Sequence, residues 1–173
     1  MKRIQGLFVA AVLACAGLVG AGCNATVSAQ HFESVIAGVI SIAQAEVPVL
    51  PPADSAILKQ WTDLGVTLDA QLRGCIAGNT SGKAATFLVC FNSFAAGIAS
   101  PAEMAQLRIL SKGSQSKVQL YVTATVLGVN AAIVAFKGTA TPVPQVGTAT
   151  PATSAELHDL ARQLNVSATA YGY

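Results

Sequence analysis

Between Lys117 and Lys137 lie nineteen residues without a charge, Val118 to Phe136. Val118, Tyr121, Val122, Thr125, Val129, Ile133 and Phe136 recur at helical spacing on one side, and Leu120, Leu127 and Val134 on another. A helix that is apolar on more than one side must be covered on more than one side, so it sits inside a bundle or inside a membrane. The length is enough to cross a bilayer. Gln119, Thr123, Thr125, Gly128 and Asn130 dilute it, however, and lipid penalises such groups at the middle of a span. The pattern therefore favours a central bundle helix from about Ser114 to Phe136.

The segments before it are also helical in period. From Gln30 to Val47, Phe32, Val35, Ile36, Val39 and Ala43 share a face, and Pro48, Pro51 and Pro52 end the run. A second helix is expected from Asp54, with the stripe Ile57, Trp61, Leu64, Leu68, Leu72 and Cys75 facing a core. Lys59, Asp63, Asp69 and Arg73 stand off that stripe. The turn GNTSG, Gly78 to Gly82, leads to a third helix carrying Phe87, Cys90, Phe91, Phe94 and Ile98. In SPAE, Ser100 suits a cap, Pro101 the first turn and Glu103 a capping box. That helix carries Met104 and Leu107 and is expected to end near Gly113.

After Lys137, GTATPVPQVGTATP repeats GTATP and holds three prolines, which excludes helix and favours extended backbone. It reads as a Pro/Thr/Gly-rich linker over 138–152. Thr153 and Glu156 open a last short helix whose Leu157, Leu160 and Leu164 form a docking side. The expected fold is all-α: a compact bundle of five to six helices over 23–137, with the 153–173 helix and tail docked on it.

Hydrophobic residues make up 53% of the chain and charged ones 10%, which is no disordered composition. The net charge of +2 is supplied by Lys2 and Arg3, and no basic run follows, so a nucleic-acid partner has no electrostatic footprint.

The first 22 residues have the parts of an export signal: Lys2 and Arg3, the apolar run Leu7 to Val19, then Gly20, Ala21 and Gly22 before Cys23. The ending resembles the lipobox of bacterial prolipoproteins, in which a cysteine after two small residues is acylated and becomes the new N-terminus. Ala21, Gly22 and Cys23 match; Gly20 stands where that family prefers leucine. The resemblance covers the signal alone. It implies lipidation of Cys23 and a membrane anchor facing the periplasm or exterior. Ordinary cleavage after Ala25 or Ala29 is the competing reading and gives a soluble periplasmic or secreted protein.

Cys15 leaves with the signal. Cys75 and Cys90 flank a glycine turn between antiparallel helices, and an oxidising compartment makes a disulfide the natural state of the pair. Two buried free thiols are the alternative.

Candidates for chemistry are few. SQSK, Ser114 to Lys117, is similar to the S-x-x-K of penicillin-binding proteins and class A β-lactamases, but the S-D-N and K-T-G elements are missing. His31 and His158 are far apart and expected on the surface. Glu33 and Glu46 are too distant on one helix to share a site, and Asp63 and Asp69 point to different sides. No metal, cofactor or catalytic residue is expected. The chain reads as an envelope-anchored helical lipoprotein with a structural or partner-binding role, the partner being the membrane and an envelope protein. A small membrane protein with spans near 7–19 and 118–136, or a soluble carrier of an apolar ligand, are the alternatives.

Overall fold

Proline sets the first corner of the chain. In the computed structural model, which describes residues 25–170, helix α1 spans Ala25–Glu46 and tightens into a 3-10 turn, Val47–Val49, around Pro48. Pro51 then caps α2, Pro52–Gly78, and Pro52 fills its first position, where the missing amide hydrogen costs nothing. The second helix thus begins two residues before Asp54. Helix α3 spans Ala84–Ile98, α4 Pro101–Leu107, α5 Lys112–Ala135 and α6 Ser154–Ala170. There is no strand among the described residues.

The third-to-fifth connection is more broken than its periodicity suggested. Ser100 Oγ accepts the Glu103 amide at 3.3 Å to start α4. That helix stops at Leu107, and α5 starts at Lys112 and so includes Gly113.

Helices α1, α2, α3 and α5 occupy the four corners of a bundle, with α1 and α3 each packed on both α2 and α5. Every adjacent pair is antiparallel, as the short connections require. Phe32 near the start of α1 and Phe87 and Phe91 near the start of α3 all meet Phe136 at the end of α5, with ring centroids 5.3–6.5 Å apart. Such aromatic contacts contribute about 0.5–1.5 kcal/mol each beyond their buried area. Trp61, fully buried in α2, donates its indole N–H to the Ile98 carbonyl at 3.2 Å. Gly65 and Gly97 let Ile40 and Leu68 approach their backbones, at 3.2 Å and 2.8 Å from where a Cβ would stand.

A corner helix of four is normally half exposed, yet α5 is buried on nearly every side. The cover is the 138–152 segment. It runs extended and antiparallel along the outer face of α5, and its own Val146 and Ala149 are buried. Helix α6 then returns, seating Leu157 and Leu160 in the core, while Gly38 of α1 leaves room for Leu164. Thr153 and Glu156 form a complete capping box. Glu156 Oε2 accepts the Thr153 amide at 2.7 Å, and Thr153 Oγ1 accepts the Glu156 amide at 3.3 Å. The Thr153 amide first, and then the Thr153 hydroxyl, which also donates to Glu156 Oε2 at 2.7 Å, hold the Glu156 carboxyl below its usual range.

Candidate functional site

The extended segment is held by amide side chains of α5. Asn130 Nδ2 donates to the Thr141 carbonyl at 2.7 Å, and its Oδ1 accepts the Thr141 amide at 2.9 Å. Gln119 Oε1 accepts the Val146 amide at 2.6 Å, and its Nε2 donates to the Pro144 carbonyl at 3.2 Å. Gln115 Oε1 accepts the Thr148 amide at 3.1 Å, while its Nε2 donates to the Arg108 and Leu110 carbonyls, each at 2.9 Å. The register follows from the rise per residue. Eleven helical residues from Gln119 to Asn130 and five extended ones from Thr141 to Val146 both cover about 16 Å. Gly147 turns the segment at φ +58°, with Gln115 Oε1 only 2.6 Å from where a Cβ would stand, so glycine is required there.

At the N-terminus of α5, Asp54 of α2 acts as a cap supplied from another helix. It accepts the Ser111 amide at 3.1 Å, the Ser111 hydroxyl at 2.5 Å and the Ser114 hydroxyl at 2.6 Å. Those hydroxyls, Ser111 first, hold the Asp54 carboxyl below its ordinary value against the opposing effect of burial. Ser114 is thereby buried, and Lys117 of the same S-x-x-K spacing turns away to Glu46, 3.5 Å from its Oε2. The geometry gives Ser114 an interhelix bond and no opening to a substrate. Burial first, and the Glu46 carboxylate second, push the Tyr121 phenol up to about 12.

The remaining polar centre joins α1 to α2. Arg73 Nε donates to Glu33 Oε1 at 2.7 Å, and Arg73 Nη2 lies 2.9 Å from Asp69 Oδ2. Both carboxylates are only 7% exposed, so one guanidinium serves two buried acids. The second Asp69 oxygen, Oδ1, is buried with no hydrogen-bond partner. Burial first, and the adjacent Glu33 carboxylate second, push the Asp69 carboxyl up to about 7, Arg73 opposing them. Glu33, more than any other neighbour, raises Arg73.

This pair escaped the sequence reading, which set Asp69 off the apolar stripe and paired Glu33 only with Glu46. The signal was present: Asp69 is spaced i+4 from Gly65 and i−3 from Leu72, both core positions, and stands four before Arg73. Asp63, by contrast, is exposed and pairs with Lys59 at 2.5 Å. His31 and His158 are both exposed.

Cys75 and Cys90 form the expected disulfide between α2 and α3, with their Cα atoms 5.9 Å apart. Beside it lies an open apolar groove of about 170 Å³ lined by Leu68, Gln71, Leu72, Phe94 and the two cysteines, with Ser93 at its edge. Small-molecule pockets usually offer about 300–1,000 Å³. Among the described residues, no group of three or more His, Cys, Asp or Glu could hold a metal ion. Cys23 lies outside the described residues.

By length and composition two helices could cross a membrane, Ala25–Val49 and Lys112–Ala135; 78% of the latter's apolar window is buried inside the protein. Compared with protein-family models, with curated proteins and with solved structures, the chain shows no match.

Proposed function

We propose that this protein is an exported lipoprotein of the bacterial cell envelope, anchored through acylated Cys23, whose helical domain has a non-catalytic, structural or partner-binding role at the membrane surface. The observation that carries the reading is the burial of Ala29. Helix α1 runs from Ala25, and Ala29 is fully buried in the core. Cleavage before Cys23 keeps every described residue in the mature chain, whereas cleavage after Ala29 would remove the first turn of α1 and a core side chain with it. The apolar run and the small residues preceding Cys23 supply the matching signal.

Two further features support this reading. Gln119 and Asn130 of α5, amides that burden a membrane span, are spent on the 138–152 segment, which favours a protein interior for this helix. The polar groups that the sequence offered for chemistry are engaged in contacts between elements: Ser114 with Asp54, Lys117 with Glu46. Acyl chains contribute about 0.8 kcal/mol per buried methylene, so several chains on one cysteine anchor a domain of this size firmly.

The test is Cys23→Ala in the full-length chain. The native protein is expected in the membrane fraction and the variant in the soluble fraction or as unprocessed precursor. A native protein that is already soluble, with a mature N-terminus beyond Cys23, overturns the proposal.

A further inference from the structure

We propose that the end of the bundle where α1 begins is a bilayer-facing surface, in which Lys83 and Lys137 meet the phosphates of anionic lipids. The inference rests on lipidation of Cys23 and gives the anchored domain its orientation.

The tether allows little freedom. One residue, Asn24, separates Cys23 from Ala25. Fully extended, the step from Cys23 to Ala25 spans about 7 Å. Ala25 packs against the core, so the domain cannot hang away from its anchor on a long stalk.

The antiparallel topology decides which residues share that end. Thr26 Oγ1 is 3.8 Å from where a Cβ on Gly82 would stand, which puts the α2–α3 turn beside the start of α1. Lys83, exposed, caps α3 at that turn. Phe136 is level with Phe32, and Lys137 follows it. From Phe32 to Thr26 the helix rises about 9 Å, so Lys137 sits back from the tip by about one Debye length. Val27, 57% exposed, adds an apolar side chain to the same end.

The charge is one-sided there. Lys59, Lys117 and Arg162 are each paired with an acid, and Arg73 is held by Glu33 and Asp69. Lys83 and Lys137 make no ion pair among the described residues. Glu33, next to Phe32 on α1, is buried and held by Arg73. Asp54 and Glu103 belong to the opposite end, with Pro51, α4 and Lys112.

Lys137 carries a second, independent mark. It has φ 65°, the left-handed conformation that favours glycine. The Gly138 amide donates to the Ile133 carbonyl at 2.8 Å and the Lys137 amide to the Val134 carbonyl at 2.9 Å, closing α5 with a Schellman motif. Glycine would fit that position without strain; a lysine there places a cation at this end of the bundle at a conformational cost.

The experiment uses the full-length protein as processed in cells, reconstituted into vesicles of mixed phosphatidylglycerol and phosphatidylethanolamine. Lysine acylation rates are mapped by peptide mass spectrometry and compared with detergent micelles. On the vesicles Lys83 is expected to slow several-fold and Lys137 by less, while Lys59 and Lys112 keep their rates. Equal slowing of Lys83 and Lys112, on protein whose intact mass carries lipid, overturns the orientation and leaves the anchor standing. Undiminished protection on purely zwitterionic vesicles overturns the engagement of anionic lipids. An intact mass without lipid removes the anchor and the orientation together.

Discussion

Asn130 pairs with Thr141 as one strand pairs with another: a side-chain amide donates to the backbone carbonyl at 2.7 Å and accepts the backbone amide at 2.9 Å. The bond pair substitutes for the ladder partner that an extended segment lying on a helix cannot find in the helix backbone. Asn130→Ala leaves the Thr141 backbone without these partners and is expected to destabilise the fold by about 1–3 kcal/mol. Urea denaturation measures the loss. Hydrogen exchange should show faster exchange at the Val146 and Thr148 amides as well, because the segment is held at three points in series.

The Asp69 carboxyl makes stability fall as the pH rises. Its folded value, about 7, lies above its ordinary 3.8. Between those values the folded state holds the extra proton, so this stabilisation is complete below about pH 4 and is lost as the pH rises through about 7. Asp54 and Glu156, whose values are lowered, act in the opposite sense, and only below the ordinary carboxylate range. Asp69→Asn is expected to flatten the decline between pH 5 and 8 and to raise stability at pH 8 by about 1–3 kcal/mol. Melting temperatures of both proteins across that range decide it.

Asp54 bridges α2 to the start of α5 through three hydrogen bonds. Asp54→Ala removes a buried carboxylate and strands the Ser111 amide, and is expected to cost about 2–3 kcal/mol, more than an ordinary exposed cap. Ser114→Ala removes one of the three and should cost about 1 kcal/mol. Equal costs for the two variants, by chemical denaturation, would contradict the assignment of Asp54 as the shared acceptor.

The Cys75–Cys90 bridge closes a loop of sequence separation 15. Its removal by Cys75→Ser with Cys90→Ser is expected to destabilise by about 3 kcal/mol in the chain-entropy account. The bridge itself is read by a two-dalton gain in intact mass on reduction, and its contribution by the shift in the denaturation midpoint.

Much of the bundle was legible in the chain. The stripes of α1, α2 and α3 named Phe32, Trp61, Leu72, Phe87 and Phe91 as core, and the glycine turn brought Cys75 to Cys90. The apolar character of α5 on several sides announced its burial. What covers it was not legible, because proline and glycine content says that 138–152 is not helical and says nothing of whether it is docked. Two of its partners are among the very residues that diluted the α5 pattern: Gln119 and Asn130 are amides whose two-sided bonding matches an extended backbone. The Glu33–Asp69 pair was hidden for a different reason. It joins residues far apart in the chain, and periodicity reports which face a residue takes but not what stands opposite.

The central claim is the anchor at Cys23. The most direct measurement is the intact mass of the full-length protein, expressed with its signal and recovered separately from membrane and soluble fractions. The account predicts a membrane-bound species that begins at Cys23 and carries diacylglyceryl and acyl groups. An unlipidated species beginning at Thr26 or Gln30, or one retaining Met1, would contradict it.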